Sequence, residues 1–167
     1  DYYTSVGYND EQGNVKGVGN TRYNITLKTN YQVNKLLKVG ASIYANERKQ
    51  TTYLTDSNGF TNPVYYSRLA NPYFTPYDEN GSYNYDTNVQ GKEDSSLNFN
   101  IFEERANSNT KRRDRSMMAI LNAELRLTDY LKITSQFGLQ EDSYSLSKYA
   151  NENTYAMRKE KLFTEYI

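Results

Sequence analysis

At 167 residues the chain is as long as one ordinary domain. Its 20 Lys+Arg against 20 Asp+Glu leave no net charge to draw it as a whole to nucleic acid or an anionic surface. It contains neither Cys nor His, which removes disulfides, thiol nucleophiles, Ser-His-Asp hydrolysis and His-based zinc sites together.

Hydrophobic residues make up 37% of the chain and aromatic ones 14%, with 18 Tyr, 6 Phe and no Trp. This is polar for a globular core and too aromatic for disorder. Tyrosine suits places that are dry at one end and wet at the other, such as binding clefts and membrane interfaces. No apolar run approaches the roughly 20 residues of a membrane helix, so any passage through a membrane is expected as β-structure.

In chain order, strands are expected near 1–9, 21–32, 38–48, 114–128, 131–146 and 156–167, with a long loop over 49–112. The period-two pattern carries this reading. In the second strand Tyr23, Ile25, Leu27, Thr29 and Tyr31 alternate with Arg22, Asn24, Thr26, Lys28, Asn30 and Gln32. The third sets Val39, Ala41, Ile43 and Ala45 against Lys38, Gly40, Ser42, Tyr44 and Asn46. Met117, Ala119, Leu121, Ala123, Leu125 and Leu127 share a face in the fourth, and Leu131, Ile133, Phe137 and Leu139 in the fifth. These runs suit tilted strands of about 9 to 11 residues that cross a bilayer.

Two connections resemble each other, Val33-Asn34-Lys35-Leu36-Leu37 and Leu127-Thr128-Asp129-Tyr130-Leu131, and both read as tight turns. The other connections are longer: 10–20, with Gly13, Gly17 and Gly19, and 47–113. Short turns alternating with long loops are the pattern of an outer-membrane barrel. The basic run Lys111, Arg112, Arg113 and Arg115, interrupted by Asp114, reads as a solvated rim at a strand start, with a phosphate patch as the alternative.

Inside the long loop, Asn62 can cap a short helix that has Pro63 in its first turn and ends before Pro72. Phe99, Phe102 and Ala106 share helical spacing, so 97–106 is expected to form a second helix with Glu103, Glu104 and Arg105 exposed. Between them lies an aromatic arm, expected to turn back at Asn80-Gly81.

Enzymatic chemistry has few candidates. Glu103 with Glu104, or Asp78 with Asp86, are the carboxylate pairs a glycosidase would need, but adjacent helical residues point about 100° apart and do not flank one bond. Asp78, Asn80 and Gly81, and likewise Asp56-Ser57-Asn58-Gly59, lack the further ligands of a calcium loop. No catalytic, cofactor-binding or metal-ligating residue is assigned, and no enzyme activity is expected. Tyr66, Arg68, Tyr73, Phe74, Tyr77, Tyr83 and Tyr85 are the candidate ligand contacts, since aromatic faces beside planar polar groups suit a sugar or peptide. Packing of those rings within the loop is the alternative.

The opening stretch Asp1-Tyr2-Tyr3-Thr4-Ser5-Val6-Gly7-Tyr8-Asn9-Asp10-Glu11-Gln12-Gly13-Asn14-Val15-Lys16-Gly17 resembles a barrel segment of the SusC/RagA-like TonB-dependent outer-membrane transporters. So, in the same order, do Val33 to Ala41, Asn71 to Gly81 and Phe99 to Ala106. The resemblance implies a mainly β fold, an antiparallel β-meander forming part of a large transmembrane β-barrel in a Gram-negative outer membrane. It also implies import of glycans or peptides with a SusD-like surface lipoprotein, driven by the TonB complex, with no cofactor and no nucleic acid. The family's signal peptide, plug, TonB box and terminal aromatic fall outside these residues, so an internal wall fragment is expected. Such a fragment alone has two sheet edges and an apolar face to hide, and is expected to self-associate. A soluble β-rich carbohydrate-binding module is the competing reading.

Overall fold

A computed structural model describes residues 1–54, 61–85 and 99–158. Among them, five strands form one sheet in chain order: β1 (Tyr2–Gln12), β2 (Gly19–Gln32), β3 (Leu37–Thr52), β4 (Ser108–Arg126) and β5 (Lys132–Ala150). The sheet is an antiparallel meander, and it is open, with β1 and β5 as its edges. Two short helices, α1 (Pro63–Leu69) and α2 (Ile101–Asn107), lie between β3 and β4 in the chain. No helix among the described residues is long and apolar enough to cross a membrane.

The strands outrun their apolar patterns. β3 continues to Thr52 and β4 begins at Ser108, so the connection expected over 49–112 is shorter and carries both helices. The ladder is made by backbone N–H and C=O groups, so it continues through these charged residues where a hydrophobicity pattern stops. The connection expected over 10–20 shrinks to 13–18, where Gly17 adopts φ 82°, a left-handed value that glycine reaches without strain. The sixth strand expected near 156–167 is corrected at its start: residues 155–158 are helical, with the Arg158 N–H donating to the Thr154 carbonyl. Residues 159–167 lie outside those described.

The two matching turns close in the same way. Val33 and Asn34 donate to the Leu37 carbonyl, and Leu127 and Thr128 donate to the Leu131 carbonyl. Asn34 Oδ1 accepts from the Leu36 and Leu37 amides. Thr128 Oγ1 does the same for Tyr130 and Leu131. A short polar side chain at the second turn position thus satisfies the amides that the turn leaves unpaired. A bond from the Arg126 amide to the Leu36 carbonyl, 2.7 Å, sets the two turns side by side.

Contacts separate the chain into two units, one of 1–12, 19–50 and 112–146 and another of 13–18, 51–111 and 147–167. The first is the greater part of the sheet. In β1 and β2, Tyr2, Thr4, Val6 and Tyr8 stand opposite Thr29, Leu27, Ile25 and Tyr23, which puts the even positions of β1 on the face of the odd positions of β2. The Tyr8 and Tyr23 rings meet at 5.2 Å.

The second unit has a buried cluster of Tyr66, Phe99, Ile101 and Tyr155. Phe99 is its centre, 5.4 Å from the Tyr66 ring and 5.3 Å edge-on from that of Tyr155. Asn62 caps α1 by accepting from Val64 and Tyr65, with Pro63 at the first turn. Asn100 caps α2 through Oδ1, which accepts from Phe102 and Glu103, while its Nδ2 donates to the Pro76 and Asn84 carbonyls at 2.8 and 2.6 Å.

The face of α2 is the reverse of the expected one. Phe102 is exposed, whereas Glu103 and Glu104 are buried. A carboxylate is costly to bury without partners. Here the Tyr155 N–H donates to Glu104 at 2.6 Å, and Arg158 pairs with Glu103 at 3.3 Å.

Asn100 joins a helix cap to two carbonyls of the aromatic arm, so Asn100→Ala is expected to cost about 1–2 kcal/mol from the cap alone. Hydrogen exchange should rise roughly tenfold or more at Phe102 and Glu103. Unchanged exchange there would show that the cap carries no stability.

Candidate functional site

The sequence candidates all lie in the second unit, and the structure separates them. Tyr66 is corrected from ligand contact to core: it is 6% exposed and packs on Phe99, because Asn62 starts α1 in the register that turns this residue inward. Tyr73 is 91% exposed. Arg68, near the end of α1, and Tyr85 are exposed as well, and Phe74 is half-buried.

Tyr77 and Tyr83 do come together, as a paired bridge with rings 5.4 Å apart. Phe102 adds a third ring 5.8 Å from Tyr77. Burial raises the Tyr83 pKa above its ordinary value, with Tyr77 and Glu103 adding to the effect. The bridge is held by a tight turn in which Gly81 takes φ 81° and Asp78 Oδ1 accepts from the Asn80 and Ser82 amides. The Asp78 carboxylate is therefore engaged by backbone. Asp86 and the stretch Asp56 to Gly59 lie outside the described residues. Tilted rings clustered on a short turn, with Tyr73 nearby in the chain, offer aromatic faces of the kind sugar rings pack against.

A second polar surface escaped motif reading, because it is assembled from strands far apart in sequence. On the sheet face of the even positions of β3 to β5, Arg48 reaches Asp114 at 2.6 Å, and Arg112 Nε donates to the same carboxylate at 2.9 Å. The Arg112 guanidinium lies 4.9 Å over the Tyr144 ring, a cation–π contact. Asn46, Asp142 and Tyr144 complete a groove of about 390 Å³ around this pair. Toward the tight turns the same face continues with Lys38, Asn122, Glu124, Thr134 and Gln136, and Lys132 pairs with Glu124 at 2.8 Å. Parity in the sequence foretold that these residues share a face; which cation pairs with which anion it did not.

The opposite face is apolar. Tyr23, Ile25, Leu27, Ile43, Met117, Leu121, Leu131, Ile133, Phe137 and Leu139 remain substantially exposed on it. The basic run expected as a strand rim lies inside β4 instead and divides between the faces: Arg112 and Asp114 on the polar one, Arg113 and Arg115 on the apolar one.

Phe99→Ala is expected to cost about 3–5 kcal/mol in the second unit, since a buried ring is lost from its centre. Tyr73→Ala should stay within about 0.5 kcal/mol. Exchange measured over 61–85 and 99–107 tests both, and comparable effects from the two variants would show that Phe99 does not organise this unit. Neither a scan against protein-family models nor a search of curated proteins returns a match to this chain.

Proposed function

We propose that the chain is a wall segment of a TonB-dependent outer-membrane transporter of the SusC/RagA-like kind. In this reading the intact barrel imports glycans, with peptides as the other substrate class, together with a SusD-like lipoprotein. The observation that carries the proposal is the apolar band that runs along one face of the sheet toward the tight turns, opposite a more polar face, and that no described residue covers.

Its dimensions support the reading. The apolar positions run from Tyr23 to Tyr31, Met117 to Leu127 and Leu131 to Leu139, about 26–33 Å of extended chain at ~3.3 Å per residue. Tilted by about 40°, those lengths cover about 20–25 Å, which suits a lipid-facing band roughly 25 Å tall. The polar face, with its Arg48–Asp114–Arg112 network, then borders a hydrated lumen. The two tight turns belong to the periplasmic side, and the connections bearing α1, α2 and the aromatic bridge to the outside. Five strands cannot close a barrel that holds a lumen, so the wall is completed by further strands. A soluble carbohydrate-binding sandwich would cover the apolar face with a second sheet, whereas the described strands form one sheet.

Two experiments on the parent protein test this. Single cysteines at Leu121 and Phe137 on one face and Asn122 and Gln136 on the other are reacted with a water-soluble maleimide in isolated outer membranes. The polar-face pair should label at least about tenfold faster. Equal labelling would replace the wall with a sheet wet on both sides. Deleting 71–85 should leave the barrel in the outer membrane while uptake of one nutrient from a glycan and peptide panel falls; unimpaired uptake of every compound would remove the aromatic arm from the import path.

A further inference from the structure

The apolar band ends sharply at the strand ends away from the tight turns. Tyr8 is followed on its face by Asp10, Ala45 by Glu47, and Leu139 by Glu141, while Met117 is preceded by Arg115 and Arg113. At that boundary three cations gather on one carboxylate. Glu47 Oε1 accepts from Arg113 at 2.7 Å and lies 3.2 Å from Lys49 Nζ, and Glu47 Oε2 accepts from Arg115 at 3.1 Å. The Lys49 ammonium also sits 5.5 Å over the Tyr23 ring. Lys49 and Arg115 stay about half exposed, at 51% and 53% of their side chains.

These groups rim a groove of about 600 Å³ whose floor is apolar, with Tyr23, Ile25, Ala45 and Met117, and whose wall also includes Glu141. Against Glu47 and Glu141 the three cations leave one positive charge in excess. Glu47 holds Arg113 and Arg115 in place, so a bound anion meets guanidinium groups already oriented.

Charge and apolar surface lie in one groove, at the edge of a lipid-sized band. We propose that it holds an anionic lipid of the leaflet on the loop side, one whose headgroup phosphate has no balancing cation. Its phosphate pairs with Arg113, Arg115 and Lys49, and its chains run down over Ile25 and Met117. A soluble anion would use the cations and leave the floor idle, and a neutral amphiphile would use the floor and leave the charge excess unpaired. The inference rests on the transporter-wall reading, which sets this face against lipid. It makes residues on the outside of the wall a lipid site, apart from the import path.

The test is native mass spectrometry of the detergent-solubilised parent barrel titrated with phosphatidic acid or phosphatidylcholine. The expected result is at least tenfold tighter binding of phosphatidic acid, weakening with salt. R113Q/R115Q should bind the two lipids alike, while Arg112→Gln, on the other face, keeps the preference. Heat-modified gel migration verifies that each variant is a folded barrel. Equal binding of both lipids by the unaltered protein, or a preference that survives in folded R113Q/R115Q, overturns the proposal. So does displacement of phosphatidic acid by inorganic phosphate at equal concentration, which would mark a site for free anions. Cysteine labelling separates the two failures: if Leu121 and Phe137 are shielded and the lipid preference is absent, only the lipid site is lost.

Discussion

Successive side chains of a β-strand point to opposite faces, and in this chain that parity sets an apolar band against a more polar face through the part of the sheet toward the tight turns. Everything else in the sheet depends on it. A single inserted residue in β4 would carry Leu121 and Leu127 to the polar face and bring Asn122 and Glu124 to the apolar one. The parity also explains how a net-neutral and rather polar chain presents a broad hydrophobic surface. Within the band, most polar residues are confined to alternate positions rather than diluted among the apolar ones.

The same rule sorts the charges. Arg112, Arg113, Asp114 and Arg115 look like one basic run, yet no two neighbours share a face. Arg112 and Asp114 form a network with Arg48 on one side, and Arg113 and Arg115 meet Glu47 on the other. Each carboxylate bridges guanidinium groups on different residues, so the ladder between β3 and β4 is bordered by ion pairs on both faces. Exposed pairs of this kind add little stability singly. Here they arrange two grooves of different character, a polar one beside Tyr144 and an amphipathic one beside Tyr23.

The second unit is organised differently. Among its described residues the buried apolar cluster is Tyr66, Phe99, Ile101 and Tyr155, and polar side chains take over much of the work. Asn100 makes four hydrogen bonds through one amide group, and Glu104 accepts from a backbone amide beside Tyr155. Such groups hold the chain around Phe99, and Asn100 ties the aromatic arm that carries the Tyr77–Tyr83 bridge to α2, while Tyr73 stays in solvent.

Local rules determined much of this protein. The strand faces, the two matching turns, the Asn62 cap and the Asn80-Gly81 reversal all depend on residues within a few positions of one another, so they were legible in the sequence; the Asn100 cap was not, because 97–106 reads as one helix with Asn100 inside it, whereas α2 starts at Ile101. Tertiary structure alone decided the rest. The pairing of Glu47 with Arg113 and Arg115 spans 66 and 68 positions, and Glu103 and Glu104 turn inward only because Arg158 and the Tyr155 amide are there to receive them. Tyr66 left the candidate site for the same reason, since whether an aromatic ring packs or contacts a ligand depends on which distant ring, here Phe99, arrives beside it.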